Sequence, residues 1–143
     1  MAFAYEIKKI HQGRFAEGAD LAATVLEYLK ANDIKAGSVQ IIGALSKARL
    51  GVYDFGDGEY KTFDVDCESE ILSCIGNISM LEGQPFAHLH MIIGLPGGET
   101  RGGHVFDNCT IKVCEFQITE YEGEAMQRVV DPSTGLKLWE PEG

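Results

Sequence analysis

Alternation of apolar and polar side chains runs through most of the chain and predicts a protein built mainly of β-strands. A period of two places the apolar residues on one face of a strand, whereas a period near 3.6 indicates a helix. The alternation begins at Phe3, Tyr5 and Ile7, which predicts a half-buried first strand that is broken by His11-Gln12-Gly13. Further segments with a strand-like pattern are residues 39–42, 47–55, 60–65, 69–81, 86–93, 111–119 and 136–139.

Glycines indicate where these strands turn, bend or end. Asp57-Gly58 lies between two alternating segments, and this dipeptide predicts a hairpin. Gly43 follows a short buried strand and is expected to end it, while Gly76 predicts a bulge or bend inside the segment 69–81. The apolar positions change parity near Val113, which predicts a second bulge.

One segment has the helical period instead. Leu21, Val25 and Leu29 form one stripe, after Gly18 and Asp20, which favour a helix start. We expect about fourteen helical residues, which rise only about 1.5 Å each. One helix followed by many strands predicts an α+β fold, with a mostly antiparallel β-sheet and one main amphipathic helix packed on it. With 143 residues and no linker, a single domain is expected over residues 1–143.

The charge balance limits the possible partners. The chain has 22 acidic and 12 basic residues, for a net charge of −10. Nucleic-acid affinity depends largely on basic groups that displace counterions, so this balance argues against direct DNA binding. No apolar stretch approaches a membrane span and no signal peptide precedes the first strand, so a cytoplasmic location is expected. The four cysteines lack CxxC spacing and are expected to be reduced.

Three of the four histidines fall within one glycine-rich stretch. His88 and His90 are two positions apart in a strand-like run, so both project from one face. If the chain reverses at Gly97, antiparallel pairing places His104 opposite His90. Three imidazoles then converge, which is the geometry of a metal site. Solvated or hydrogen-bonded histidines are the alternative, because a slip of one residue would send His104 to the other face.

Zinc is the metal expected at such a site, although another divalent transition metal would also suit it. Three neutral imidazoles with a water in the fourth position form the catalytic zinc pattern, whereas structural sites usually take all four ligands from protein. Catalysis would also need a nearby base or charge-stabilising group. Arg101 is a candidate ligand-binding residue in the hairpin, and Arg14 is a second candidate near the helix start. The alternatives are a solvated rim for Arg101 and an ion pair with Glu17 or Asp20 for Arg14.

The histidine motifs resemble a known family. His88-Leu89-His90, Gly102-Gly103-His104 and the following Cys109 are similar to the signature of the PPC domain, the plant and prokaryote conserved domain associated with AT-hooks. Further similar stretches are Arg14 with Gly18 and Asp20-Leu21, the run 42–46, and the run 73–79.

The resemblance has several implications. It implies the stand-alone prokaryotic type, a central antiparallel sheet with a flanking helix, a homotrimer, and zinc held by His88, His90 and His104. An AT-hook requires an Arg-Gly-Arg-Pro core, and the sequence contains none.

Two classes of function therefore stay open, with a weaker third. The first is a metal-binding trimeric module that regulates or interacts with a protein partner. The second is a metal-dependent enzyme that acts on a small anionic molecule. The third is DNA binding, as the family association implies. Self-association is expected because both parities are apolar in parts of the segments 69–81 and 111–119, and one helix covers only part of a sheet.

Overall fold

The computed structural model describes residues 2–141, and β-strands dominate it. The elements in chain order are β1 (Glu6–Phe15), α1 (Leu21–Ala31), β2 (Gly37–Asp54), β3 (Glu59–Val65), β4 (Ser69–Leu81), β5 (Gln84–Gly94), β6 (Thr100–Val105), β7 (Thr110–Glu122), β8 (Val129–Val130) and β9 (Lys137–Leu138). Within this range, no helix is both long and apolar enough to cross a membrane.

Seven strands form one antiparallel sheet that curls back on itself. The strand order is β1-β7-β2-β4-β5-β6, and β3 pairs with the C-terminal half of β2. The same half of β2 also pairs with β6, through Leu50 with Val105 and Gly51 with His104. Strand β6 is therefore held on both sides, by β5 and by β2, so His104 is fixed by two neighbouring strands.

The long strand β2 corrects the prediction that Gly43 ends a short strand. The segments 39–42 and 47–55 belong to one strand of 18 residues, and its pairing shifts register between Ile41 and Gly43. Gly43 has a φ of 145°, and a Cβ at this position would lie 2.0 Å from the carbonyl oxygen of Val113. The glycine thus permits a bulge and a close approach of β7, and the strand continues because it has partners on both sides.

The first strand also differs from its prediction. It continues through His11-Gln12-Gly13 to Phe15, because its backbone pairs with β7 along its whole length. It is not half-buried: Ile7 and Ile10 are 63% and 54% exposed, since β1 lies at the edge of the sheet. A glycine suits position 13, because a Cβ there would lie 3.0 Å from the ring of Phe116.

The helix starts where the sequence predicts but is short, at 11 residues. Asp20 caps it by accepting a hydrogen bond from the backbone N–H of Ala23 at 2.9 Å. Leu21, Val25 and Leu29 are buried, as the stripe predicts. The α+β assignment holds broadly, but α1 is a small element and not a main layer of the fold. A helix of this length covers only part of a seven-stranded sheet.

The turn and bulge predictions have mixed outcomes. The Asp57-Gly58 hairpin joins β2 to β3 as predicted, and the bulge near Val113 is present at Lys112. Gly76 lies in regular register, and the bulge of β4 is at Leu72 instead. A Cβ at Gly76 would lie 2.2 Å from the carbonyl oxygen of His88, so this glycine serves close strand packing. All four cysteines are free thiols, as predicted, and three of them are buried.

Candidate metal centre

Strands β5 and β6 bring three histidines together. His90 pairs directly with His104, which is the register that a reversal at Gly97 predicts. On the other face of β5, Leu89, Met91 and Ile93 are buried and fix the strand against the core. This burial sets which face of the strand carries the histidines.

The three imidazoles lie close enough to share one ion. One ring nitrogen from each of His88, His90 and His104 lies within 4.8 Å of the corresponding atoms of the other two. The ring centroids are separated by 4.8 Å between His88 and His90, 5.1 Å between His88 and His104, and 5.6 Å between His90 and His104. A zinc ion bound at about 2.0–2.1 Å would require only a modest closing of these side chains.

His104 has one ring nitrogen, Nδ1, that is buried without a hydrogen-bond partner among the described residues. The rings of Tyr60 and Phe106 lie beside it, with centroids at 5.1 and 5.0 Å. Buried polar atoms are almost always satisfied, so this nitrogen is suited to a ligand that the protein itself does not supply.

The electrostatics keep two of these imidazoles neutral at physiological pH. Burial lowers the pKa of His88 to about 4, and the neighbouring side chains of Arg128 and His90 act in the same direction. Burial likewise lowers the pKa of His104 to about 4, with added effects from its neighbouring histidines and Arg128. Since a metal binds only the neutral imidazole, the cluster fits the donor set of zinc or a similar cation.

A cavity of about 850 Å³ opens beside the histidines. All three histidines line it, together with aromatic side chains. Its charged lining residues are Arg128, Lys137 and Asp107. The aromatic residues are Tyr53, Phe55, Tyr60, Phe86 and Phe106. Such an apolar cavity with a few polar groups is typical of a small-molecule site.

The predicted ligand-binding arginines do not lie in this cavity. Arg101 is exposed on β6 and pairs with Ile93, and Arg14 is exposed on the edge strand β1. Neither residue lines the cavity. The arginine that does so is Arg128, which the sequence analysis missed. The available signal was weak: a single basic residue directly before the apolar pair Val129-Val130.

Comparisons with known proteins agree with this architecture. A solved structure of a metal-containing protein from Archaeoglobus fulgidus is 36% identical, with a TM-score of 0.93 and 99% of each chain covered. A plant- and prokaryote-conserved protein from Pyrococcus horikoshii is 28% identical, with a TM-score of 0.94, covering 100% of this chain and 99% of that one. The search of curated proteins gives no match.

The comparison with family models identifies the family. The model of the Plants and Prokaryotes Conserved (PCC) domain matches residues 3–122, which include the helix, the long strand β2 and all three clustered histidines. The chain therefore belongs to the PCC, or PPC, domain family.

Proposed function

We propose that this protein binds one divalent transition metal per chain, with zinc the first choice, through His88, His90 and His104. The observation that carries the proposal is the buried Nδ1 of His104, which has no partner among residues 2–141. The description of the Archaeoglobus relative as metal-containing supports it. A zinc ion with three imidazole ligands keeps a fourth position for water or a ligand and acts there as a Lewis acid.

The protein's own residues prepare the site for this role. The pairing of β6 with both β5 and β2 fixes the backbone at His104. This histidine therefore need not become ordered when the metal binds. The lowered pKa of His88 and His104 keeps both imidazoles neutral, so little proton release accompanies binding near pH 7. The rings of Tyr60 and Phe106 pack against the imidazole of His104 and restrict its orientation.

Metal content tests the proposal directly. Protein reconstituted with zinc and desalted should contain about one zinc per chain by elemental analysis, and His90→Ala should reduce this severalfold. His11→Gln is the matched control, because His11 lies on β1 and is already bonded at both ring nitrogens. A folded wild-type protein that retains no zinc, cobalt or nickel would contradict the proposal.

A binding or regulatory module is the role we favour for this site. The only carboxylate among the described lining residues is Asp107, which is exposed and forms no ion pair within residues 2–141. A metal-dependent enzyme acting on a small anionic molecule is the second candidate, and the cavity beside the histidines favours it. Zinc-dependent turnover in a small-molecule hydrolysis screen, lost in Asp107→Asn, would select the enzyme. Direct DNA binding has the least support, given the net charge of −10.

We also propose that the chain assembles as a homotrimer. Large apolar side chains are exposed on neighbouring strands of the sheet, and Ile75 on β4 lies directly opposite His90 on β5. The exposed fractions are 57% for Ile42, 53% for Leu72, 58% for Ile75, 50% for Ile92 and 39% for Val113. Such a surface suits a subunit contact. The family resemblance supplies the number three.

Light scattering tests the assembly. The mass should correspond to three chains of 15.6 kDa and should persist at high salt, because an apolar contact between acidic subunits is not weakened by screening. Ile75→Glu should lower the mass towards one chain. Val130→Glu is the control, since Val130 is equally exposed but lies on the C-terminal hairpin. A wild-type mass near one chain at all concentrations would contradict the proposal.

A further inference from the structure

Arg128 is a buried charge that also lines the cavity beside the histidines. It is only 7% exposed. Its Nε donates to the hydroxyl of Ser79 at 2.8 Å, one terminal nitrogen donates to the carbonyl oxygen of Lys137 at 2.7 Å, and the other donates to the amide oxygen of Asn77 at 2.6 Å. All three acceptors are neutral.

No negative group balances this guanidinium within the described residues. None of the ion pairs of residues 2–141 includes Arg128. A guanidinium has five N–H groups, and three of them are used, so two have no acceptor among the described residues. Burial also lowers the pKa of Arg128, which reflects the cost of holding a charge away from water. A buried charge is normally paired, so an anion from outside the chain is the expected partner.

The surroundings indicate what kind of anion fits. The central carbon of the guanidinium lies 5.0 Å from the ring centroids of both Phe86 and Trp139, so aromatic rings cover it and the N–H edges are left for hydrogen bonding. Two free N–H groups match the two oxygens of a carboxylate. The remaining wall of the cavity is largely apolar, with aliphatic side chains beside the five aromatic ones, and suits an apolar body rather than a highly charged phosphate ester.

We infer that Arg128 binds the carboxylate of a small aromatic or aliphatic carboxylic acid, whose apolar body lies among the aromatic residues of the cavity beside the histidines. The inference rests on the proposed metal site, because the ligand would lie between Arg128 and the metal. It assigns the cavity a ligand class, an organic carboxylate, and assigns Arg128 the role of its specificity-determining residue.

A purely structural role for Arg128 is the competing explanation. Its three hydrogen bonds join β4 to the C-terminal hairpin of β8 and β9, so it stabilises that contact. If Arg128 had only this structural role, however, it would not favour the binding of a carboxylate over a neutral molecule of the same shape. The test therefore compares benzoate with benzamide, which differ in charge and hardly in size.

Trp139 provides the measurement, because it is the only tryptophan in the chain and lies against Arg128. Benzoate should change the tryptophan fluorescence of the zinc-loaded protein in a saturable way, and calorimetry should give the same affinity. Benzamide should bind about tenfold more weakly or not at all. Arg128→Gln should weaken benzoate binding by about tenfold or more, whereas the exposed Arg101→Gln, which removes the same charge elsewhere, should leave it unchanged.

Equal binding of benzoate and benzamide, or of benzoate to wild type and Arg128→Gln, would overturn the inference. If Arg128→Gln does not fold, Arg128→Lys decides it in the same way, because it keeps the charge but lacks the paired N–H groups of a guanidinium and should also weaken benzoate binding. Zinc content measured in the same samples separates the two proposals. Full zinc without benzoate binding overturns the role of Arg128 alone. Arg128-dependent benzoate binding by a protein that takes up no zinc overturns the metal site alone and upholds the role of Arg128.

Discussion

Two buried charges in this molecule have opposite surroundings. Glu120 on β7 is 6% exposed and is met by Lys8 at 2.7 Å and by His11 at 3.3 Å. Arg128 is 7% exposed and is met only by neutral acceptors. The first charge is balanced inside the chain and the second is not. Equal burial therefore has different consequences. The charge of Glu120 is neutralised within the chain, whereas the charge of Arg128 can be neutralised by an anionic ligand.

The histidines repeat this contrast. His11 contacts the hydroxyl of Tyr28 through Nδ1 at 3.2 Å and Glu120 through Nε2 at 3.3 Å, so both ring nitrogens are satisfied. The buried Nδ1 of His104 has no partner in residues 2–141. The unmet hydrogen-bonding capacity, more than the residue type, distinguishes the candidate metal ligand from the structural histidine.

The largest effect is expected from replacing Glu120, the buried charge that has charged partners within the chain. Glu120→Gln should lower the free energy of unfolding by about 1–3 kcal/mol, because hydrogen bonds to a charged group are lost while His11 stays buried. Urea unfolding at one fixed protein concentration measures this. Zinc content and benzoate binding should not change, since Glu120 lies far from β5 in the strand order.

Glu122→Gln provides the matched control, because it removes the same charge from an exposed position on the same strand. Its effect on the free energy of unfolding should be about 0.5 kcal/mol or less. If both variants behave alike, the cluster around Glu120 contributes no more than a surface charge does, and the comparison with Arg128 fails.

A smaller effect is expected from acid on the metal-free protein. Burial lowers the pKa of His88 and His104 to about 4 in the fold, whereas unfolded imidazoles titrate near about 6.5. The unfolded chain therefore binds protons first as the pH falls. Stability should be full above about pH 6.5 and should decrease towards about pH 4. Both rings are partly exposed, so we expect a loss of about 1 kcal/mol, measured by urea unfolding across this range.

Two variants resolve the origin of this acid dependence. The double variant His88→Asn with His104→Asn should remove most of the loss between about pH 6.5 and 4.5. Glu120→Gln should retain it. Burial alone raises the pKa of Glu120, but hydrogen bonds from Lys8 and His11 hold it below its ordinary value. The stability from Glu120 is therefore lost only as the pH falls below about 4.5. An unchanged acid profile in the double variant would contradict the assignment.

The sequence predicts local features of this fold better than its long-range ones. The register of the histidine hairpin follows from glycines and strand period, and the helix start follows from Asp20. The continuation of β2 through Gly43 does not, because it depends on partners on both sides of the strand. Arg128 escapes prediction for the same reason. Its importance comes from burial against β4 and the aromatic rings, which no spacing in the sequence encodes.

The C-terminal hairpin supplies part of the cavity wall from outside the residues that match the family model. The family match ends at residue 122, yet Arg128, Lys137 and Trp139 come from the segment beyond it. The three clustered histidines therefore lie within the matched residues, whereas Arg128 lies beyond them. A change confined to residues 123–141 would alter part of the cavity wall without replacing any of the three clustered histidines.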